Sequence, residues 1–216
     1  MKERAPIISV VDDDPAARSS LRLLLKSLGL AATVYDSAAS FLAAYDPAQP
    51  GCLLLDIRMP GMSGLELQET LNQRGIFTPI IFITGHGDVP MAVEAMQHGA
   101  FDFLQKPFRD QDLLDRVQRA LAKDHSVREQ LRGHESMRGR LDSLTAREHD
   151  VLELVTSGAP NKIIAHKLGI SQRTVEIHRA RIMEKMNAGS LAALVHMTLL
   201  TGDVQHETAN ATARRM

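Results

Sequence analysis

The sequence predicts an α/β domain, a doubly wound five-stranded parallel sheet, followed by a smaller all-α domain. Three observations carry this. Short apolar runs and helical-period segments alternate five times over the first 123 residues. Polar residues fall at the carboxyl ends of the apolar runs: Asp12 and Asp13, Asp56, Thr84 and Lys106. From Leu141 onward the pattern has only the helical period. Strands that alternate with helices imply a parallel sheet covered on both faces and wound by right-handed crossovers. A chain of 216 residues has room for two such domains.

The first strand is Ile7-Ile8-Ser9-Val10-Val11, a β-branched run that stops at Asp12-Asp13-Asp14-Pro15. Pro15 suits the first position of a helix, Leu21, Leu24, Leu25 and Leu28 give that helix its apolar stripe, and Gly29 closes it. A strand follows near Ala32–Tyr35 and a helix near Ala38–Tyr45. Cys52–Leu55 is continuously apolar and ends at Asp56, which marks the central strand. A helix near Leu65–Gln73, a strand at Pro79–Ile83 ending at Thr84, a helix at Val89–Gln97, a strand at Phe101–Leu104 and an amphipathic helix at Asp110–Lys123 complete a domain spanning residues 5–123. Residues 124–140 are polar, with Gly133 and Gly139, and read as a linker that prolongs the preceding helix by a turn or two. The helical domain occupies 141–205, and 206–216 reads as a disordered tail.

Composition bounds the function. The chain is 44% apolar and 24% charged, the balance of a soluble globular protein. Cys52 is the single cysteine, which excludes an intramolecular disulfide and reads as a buried core thiol. No run approaches the ~20 apolar residues of a membrane span, and Met1-Lys2-Glu3-Arg4 leads into a strand rather than a signal-peptide core. The expectation is a cytoplasmic protein without a membrane partner. Residues 1–123 carry 12 Lys and Arg against 15 Asp and Glu, and residues 124–216 carry 13 against 11. Basic excess in the second half points to nucleic acid only when joined to a motif, since most charge excess is solvated surface.

In doubly wound sheets, ligands bind outside the carboxyl ends of the strands. Asp12, Asp13 and Asp56 would converge there. Three close carboxylates cannot all stay ionised without a counter-charge. A hard divalent cation such as Mg²⁺ supplies it, and Lys106 adds a positive group. Such a site can neutralise a phosphoryl donor while a carboxylate attacks phosphorus and forms an acyl phosphate. Asp56, after the central strand, is the candidate nucleophile. Any one of these residues alone reads as a strand-end cap; all of them at alternate strand ends is a far more specific pattern.

Four runs carry a resemblance: Val11-Asp12-Asp13-Asp14; Leu55-Asp56-Ile57-Arg58-Met59-Pro60-Gly61-Met62-Ser63-Gly64; Ile83-Thr84-Gly85-His86; and Lys106-Pro107-Phe108. Over about residues 5–123 the chain resembles response-regulator receiver domains of the flavodoxin-like fold. The segment from Thr84 through Met96 resembles their FixJ branch. The resemblance implies that Asp56 is phosphorylated by a sensor histidine kinase. It implies that Asp13, Asp56 and the backbone carbonyl of Arg58 bind Mg²⁺, with Asp12 assisting through water. Thr84 and Lys106 would contact the phosphoryl group, Phe103 would be the rotating aromatic of the switch, and the Lys106–Pro107 peptide would be cis. Phe103 has a bland alternative as a core aromatic.

The alternative reading is an enzyme. Haloacid-dehalogenase-type phosphatases place a second Asp two residues after the nucleophile, where this chain has Arg58. No glycine-rich loop follows the first strand, which argues against nucleotide binding, and the nine histidines lack metal-ligand spacing. The expectation is a phosphoryl acceptor with at most self-dephosphorylation.

In the second domain, Thr145-Ala146-Arg147-Glu148 is a capping box and Gly158 ends the helix it starts. Asn161–Gly169 is a short amphipathic helix with a glycine turn, and Ser171 caps a helix whose apolar positions are Val175, Ile177, Ile182 and Met186. Two helices joined by a glycine-containing turn form a helix-turn-helix. The second carries Arg173, Arg179, Arg181 and Lys185, cations that can meet phosphates. Charge alone leaves an ordinary interaction domain open, since residues 141–205 hold seven basic and seven acidic side chains. Through Thr145–Glu148, Asn161–Ala165 and Thr174–Arg179 the segment 141–200 resembles the LuxR/FixJ-type DNA-binding domain. That resemblance places Glu176, Ile177 and Ala180 at base edges and Lys162, Arg173, Thr174, His178 and Arg181 mostly at the DNA backbone. A last helix, about 190–201, would pair two domains on a two-fold site. The expected partners are a sensor histidine kinase, double-stranded promoter DNA, RNA polymerase and, on phosphorylation, a second copy of the chain. Two rivals remain: a receiver that is only a dimerisation scaffold, and a stand-alone phosphoryl-transfer enzyme.

Overall fold

Five short runs form the strands of one parallel sheet, β1, β3 and β4 among them rich in branched and leucine side chains: β1 (Ile7–Val11), β2 (Ala31–Tyr35), β3 (Gly51–Asp56), β4 (Ile80–Thr84) and β5 (Asp102–Gln105). Their order is β2-β1-β3-β4-β5. The computed structural model describes residues 4–85 and 89–199. β3 and β4 are apolar at nearly every position because helices cover both faces of the sheet there. On one face Phe41 of α2 (Ala38–Ala44), Leu67 and Leu71 of α3 (Gly64–Gln73) and Ala95 of α4 (Val89–Gln97) pack on Val11, Leu53, Leu55 and Phe82. On the other, Leu21 and Leu25 of α1 (Pro15–Ser27) and Leu113, Val117 and Ala120 of α5 (Asp110–Asp142) pack on Ile8, Val10, Leu54 and Ile81. Gly51 is required by space: a Cβ there would lie 1.9 Å from the Ile7 carbonyl oxygen on β1.

The chain divides into two compact units, Met1–Arg128 and Glu129–Met216. The second has its own core, in which Val151, Leu152 and Val155 of α6 (Ala146–Thr156), Ile164 of α7 (Asn161–Leu168) and Val175, Ile182 and Met186 of α8 (Gln172–Met186) meet. Thr145 and Glu148 form the expected capping box, Gly169 ends α7 at φ 65°, and Ser171 caps α8. A further helical run covers residues 191–199. Its expected end, the tail 206–216 and the His86–Asp88 part of the Thr84 motif lie outside the described residues.

Two sequence expectations change. β5 begins at Asp102 and ends at Gln105, one residue later than expected. The polar stretch 124–140 is helical throughout, since α5 runs on to Asp142. Its anchors are polar or widely spaced, which is why they leave no apolar period. Asp124, 1% exposed, accepts from the Gly51 N–H at 2.9 Å and from Arg128 Nε at 2.9 Å. Arg128 also donates to the Pro47 and Gln49 carbonyls, both at 2.9 Å. Further along, Met137 and Leu141 pack on the core of the second unit. Among the described residues no helix is long and apolar enough to cross a membrane.

Candidate functional site

The acidic run after β1 divides into three different roles. Asp14 is the N-cap of α1, its side chain accepting from the Ala16 N–H. Asp12, 2% exposed, shapes the turn by accepting from the Asp14 N–H at 2.9 Å. Asp13 is exposed. Because β1 and β3 are neighbours with Val11 level with Leu55, the residues that end them, Asp12 and Asp56, stand side by side. This is where the strand order reverses, the place where doubly wound sheets hold ligands. Lys106, after β5, reaches both: its Nζ donates to Asp12 Oδ2 at 2.9 Å and to Asp56 Oδ1 at 3.2 Å. The other oxygen of Asp56 accepts from the Arg58 N–H at 2.8 Å. Thr84, 3% exposed, ends β4, and its carbonyl accepts from the Lys106 N–H at 2.7 Å. The Lys106–Pro107 peptide is cis.

The electrostatics follow from burial. Burial pushes the Asp56 carboxyl above its ordinary value, Lys106 pulls it down, and Asp12 pushes it up again. Burial also opposes the charge of Lys106, but the two carboxylates outweigh it and hold the ammonium above its ordinary value. Two carboxylates thus face one ammonium across the pocket. The structure brings Asp12, Asp56, Thr84 and Lys106 together and leaves Asp13 at the rim. Asp12 and Asp56 are the close pair, bridged by Lys106, and Asp13 beside Asp12 in the chain is exposed; among the described residues no three His, Cys, Asp or Glu side chains form a ready-made metal group. Mg²⁺ needs only one or two carboxylates because it keeps several waters. The neighbouring carboxylates of Asp12 and Asp56, both bonded to Lys106, are an oxygen donor set that suits such an ion.

Phe103 is 38% exposed, which excludes the core-aromatic reading. Cys52 is buried, and burial pushes its thiol up to about 12, so it is an inert core residue. Three supporting residues were not singled out from sequence. A Cβ on Gly64 would sit 2.2 Å from the Asp56 carbonyl oxygen. Arg18 donates to the Asp12 carbonyl at 2.6 Å. Gln68, 1% exposed, donates to the Ala95 carbonyl at 3.0 Å. Gly64 stood inside a recognised motif, but its reason is a packing distance that only the fold supplies.

In the second unit, the exposed face of α7 and α8 carries Lys162, Arg173, Glu176, Ile177, Ala180 and Arg181. Thr174 and His178 are partly covered. Thr174 Oγ1 lies 2.8 Å from Ser171 Oγ at the start of α8, and Arg173 lies 3.7 Å from Glu176. Two other cations of α8 serve the domain itself. Arg179 donates to Asn161 Oδ1 at 3.2 Å. Lys185 donates to Glu148 Oε2 at 2.7 Å and to the Ser143 carbonyl at 3.1 Å. The result is a helix with an exposed, cation-bearing outer face on a domain braced by its inner cations, the geometry of a recognition helix.

Comparison with known proteins matches this division. Residues 8–118 match the response regulator receiver domain family, and residues 142–198 match the bacterial regulatory proteins of the luxR family. The transcriptional regulatory protein FixJ of Azorhizobium caulinodans is 48% identical over 212 residues, covering 98% of this chain and 100% of that protein. The response regulator protein TodT of Pseudomonas putida is 43% identical over 198 residues, covering 92% of this chain and 87% of TodT. Among solved structures, the response regulator StyR superposes with a TM-score of 0.85 at 47% identity, covering 90% of this chain and 98% of StyR. Full-length FixJ from B. japonicum gives 0.57 at 41% identity, covering 93% and 98%. The chain belongs to the DNA-binding response regulators that join a receiver domain to a LuxR-type helix-turn-helix domain.

Proposed function

We propose that this regulator is switched by phosphorylation of Asp56 by a partner sensor histidine kinase. The observation that carries the reading is Lys106 Nζ bridging Asp12 and Asp56 at the carboxyl edge of the sheet. That arrangement leaves one carboxylate oxygen beside a cation, at a place open to a donor. An Asp56 oxygen attacks the donor's phosphorus, the donor's bond to phosphorus breaks, and an acyl phosphate forms. Lys106 and the Thr84 hydroxyl then turn to the phosphoryl oxygens. Asp12, Asp13, Asp56 and the Arg58 carbonyl are the residues that would hold Mg²⁺, which when bound neutralises charge on the transferring group. The added charge, about −2, draws Thr84 and Lys106 inward and re-seats Phe103.

The receiver, residues 5–123, then pairs with a second copy, and two helix-turn-helix domains, residues 141–205, engage a two-fold promoter site in the cytoplasm. Two linked contacts, each weak alone, give tight binding. Glu176, Ile177 and Ala180 face base edges; Lys162, Arg173, Thr174, His178 and Arg181 face the DNA backbone. Transcription rises through contact with RNA polymerase. The chain itself is a phosphoryl acceptor with at most self-dephosphorylation. The test is oligomer size and DNA affinity with and without a small phosphodonor plus Mg²⁺, for the wild type and Asp56→Asn. Dimers and tighter binding only in the wild type are expected. Equal binding by both proteins, indifferent to the phosphodonor, overturns the switch and leaves a scaffold.

A further inference from the structure

Helix α4 has little to hold it. Its nine residues are too few for stability alone. The side it buries carries Ala92 and Ala95, with Met91 packed partly buried on the same core, while Val93 and Met96 are 53% and 41% exposed. Two of the three attached side chains are alanines, which bury little apolar surface, so the hydrophobic attachment is modest. Directional bonds come instead from α3. Gln68 and Asn72 stand four residues apart, hence on one face of α3. Gln68 Nε2 donates to the Ala95 carbonyl and Asn72 Nδ2 to the His98 carbonyl, both at 3.0 Å. These are carbonyls at the carboxyl end of α4, the groups a helix leaves without internal partners. The Ala95 oxygen is held twice, since the Ala100 N–H also donates to it at 3.0 Å as the chain turns towards β5.

We propose that Gln68 and Asn72 are positioning residues of the receiver switch, a pair of amides that locks α4 in its resting seat. A helix that turns about its axis re-aims every carbonyl. Ala95 O is held by the turn that closes α4 and by Gln68 of α3, so a turn of α4 about its axis carries the first bond along and breaks the second. The bonds coexist with the pairing of Lys106 to Asp12 and Asp56, the pairing that phosphorylation of Asp56 would redirect. A bond present in one state and lost in the other biases the equilibrium by its own worth. Two such bonds correspond to about a tenfold bias towards rest. The proposal rests on the phosphorylation switch for its meaning in signalling, but the lock itself is readable without phosphate.

The test uses the full chain with Gln68→Met and Asn72→Ala together. Gln68→Met keeps the side-chain volume, and Ala95 O stays bonded to the Ala100 N–H, so the fold is retained. Hydrogen exchange across residues 89–97 and the dimer dissociation constant by sedimentation are measured in this variant. Both are repeated with Asp56→Asn added, and wild type and variant are also run with phosphodonor. Faster exchange confined to α4, with about tenfold stronger dimerisation that persists on Asp56→Asn, supports the lock. Asn72→Gln with Gln68 kept, which retains both donors, leaves exchange at the carboxyl end of α4 as in the wild type. Unchanged exchange in α4, or faster exchange spread over the whole receiver, overturns the lock and leaves a merely structural pair. A wild type that ignores phosphodonor sinks the phosphorylation reading instead, and the exchange result still decides the lock.

Discussion

At the scale of single residues, the acidic pocket depends on a missing side chain as much as on charged ones. Gly64 starts α3 directly against the end of β3 that carries Asp56, and its N–H donates to the Ile57 carbonyl at 2.9 Å. A methyl group would lie 2.2 Å from the Asp56 carbonyl oxygen and 3.1 Å from the ring of Phe82, which is fully buried and cannot retreat. The backbone of Asp56 must therefore move. Gly64→Ala is expected to destabilise the receiver by about 2 kcal/mol. On the proposed role of Asp56, shifting its carboxyl should also slow phosphorylation from a small donor by about tenfold or more. The control is Gly139→Ala, where a Cβ meets nothing within 4 Å and helix propensity improves. Denaturant melts and a phosphorylation time course check both; a Gly64→Ala protein as stable and as fast as wild type would remove the steric argument.

At the scale of elements, α8 shows how one helix separates structure from recognition. Arg179 is tied to Asn161 at the start of α7, and Lys185 to Glu148 of α6, whereas Arg181 is exposed. Sequence placed all of these cations on one helix but could not say which face each took, because an Arg that braces a domain and an Arg that awaits a phosphate look alike. Arg181→Ala is expected to weaken binding to all DNA sequences and to lower the salt slope by about one per subunit, with stability unchanged. Arg179→Ala is expected to cost about 1 kcal/mol of domain stability and leave the slope as it was. Salt titrations of affinity beside thermal melts separate the two, and a reversed pattern would reassign both residues. The strands were far more legible. β3 and β4 are continuous apolar runs because both their faces are covered, and such runs stop where the polar pocket begins. The continuation of α5 was not legible, because its docking uses a buried Asp124–Arg128 pair and single apolar residues rather than a stripe.

At the scale of the whole molecule, two units with separate cores should unfold as two transitions, and each should respond to its own ligand. On the proposed switch, phosphodonor with Mg²⁺ is expected to raise the receiver transition and DNA the other, because whatever binds only the folded form stabilises it. Acid distinguishes them further. Glu148 is 2% exposed and bonded to Lys185 and to the Thr145 N–H, and the Lys185 bond chief among these holds its carboxyl from the ordinary 4.5 down to about 2. A carboxyl depressed by folding stabilises fully above its unfolded value and loses that contribution as pH falls through the folded one. The DNA-binding transition is therefore expected to fall steeply between pH 4.5 and 2. Glu148→Gln removes the charge and leaves Lys185 without a counter-ion. Its side chain is 35% exposed, so water screens part of the loss. The variant should lose about 2 kcal/mol at neutral pH and lose its acid dependence over that window. Calorimetry of the full chain from pH 7 to 2, with the DNA-responsive transition identified first, measures both. If that transition in Glu148→Gln still falls as steeply in acid as in the wild type, the acid sensitivity comes from elsewhere and the buried pair is not what holds the helix-turn-helix together.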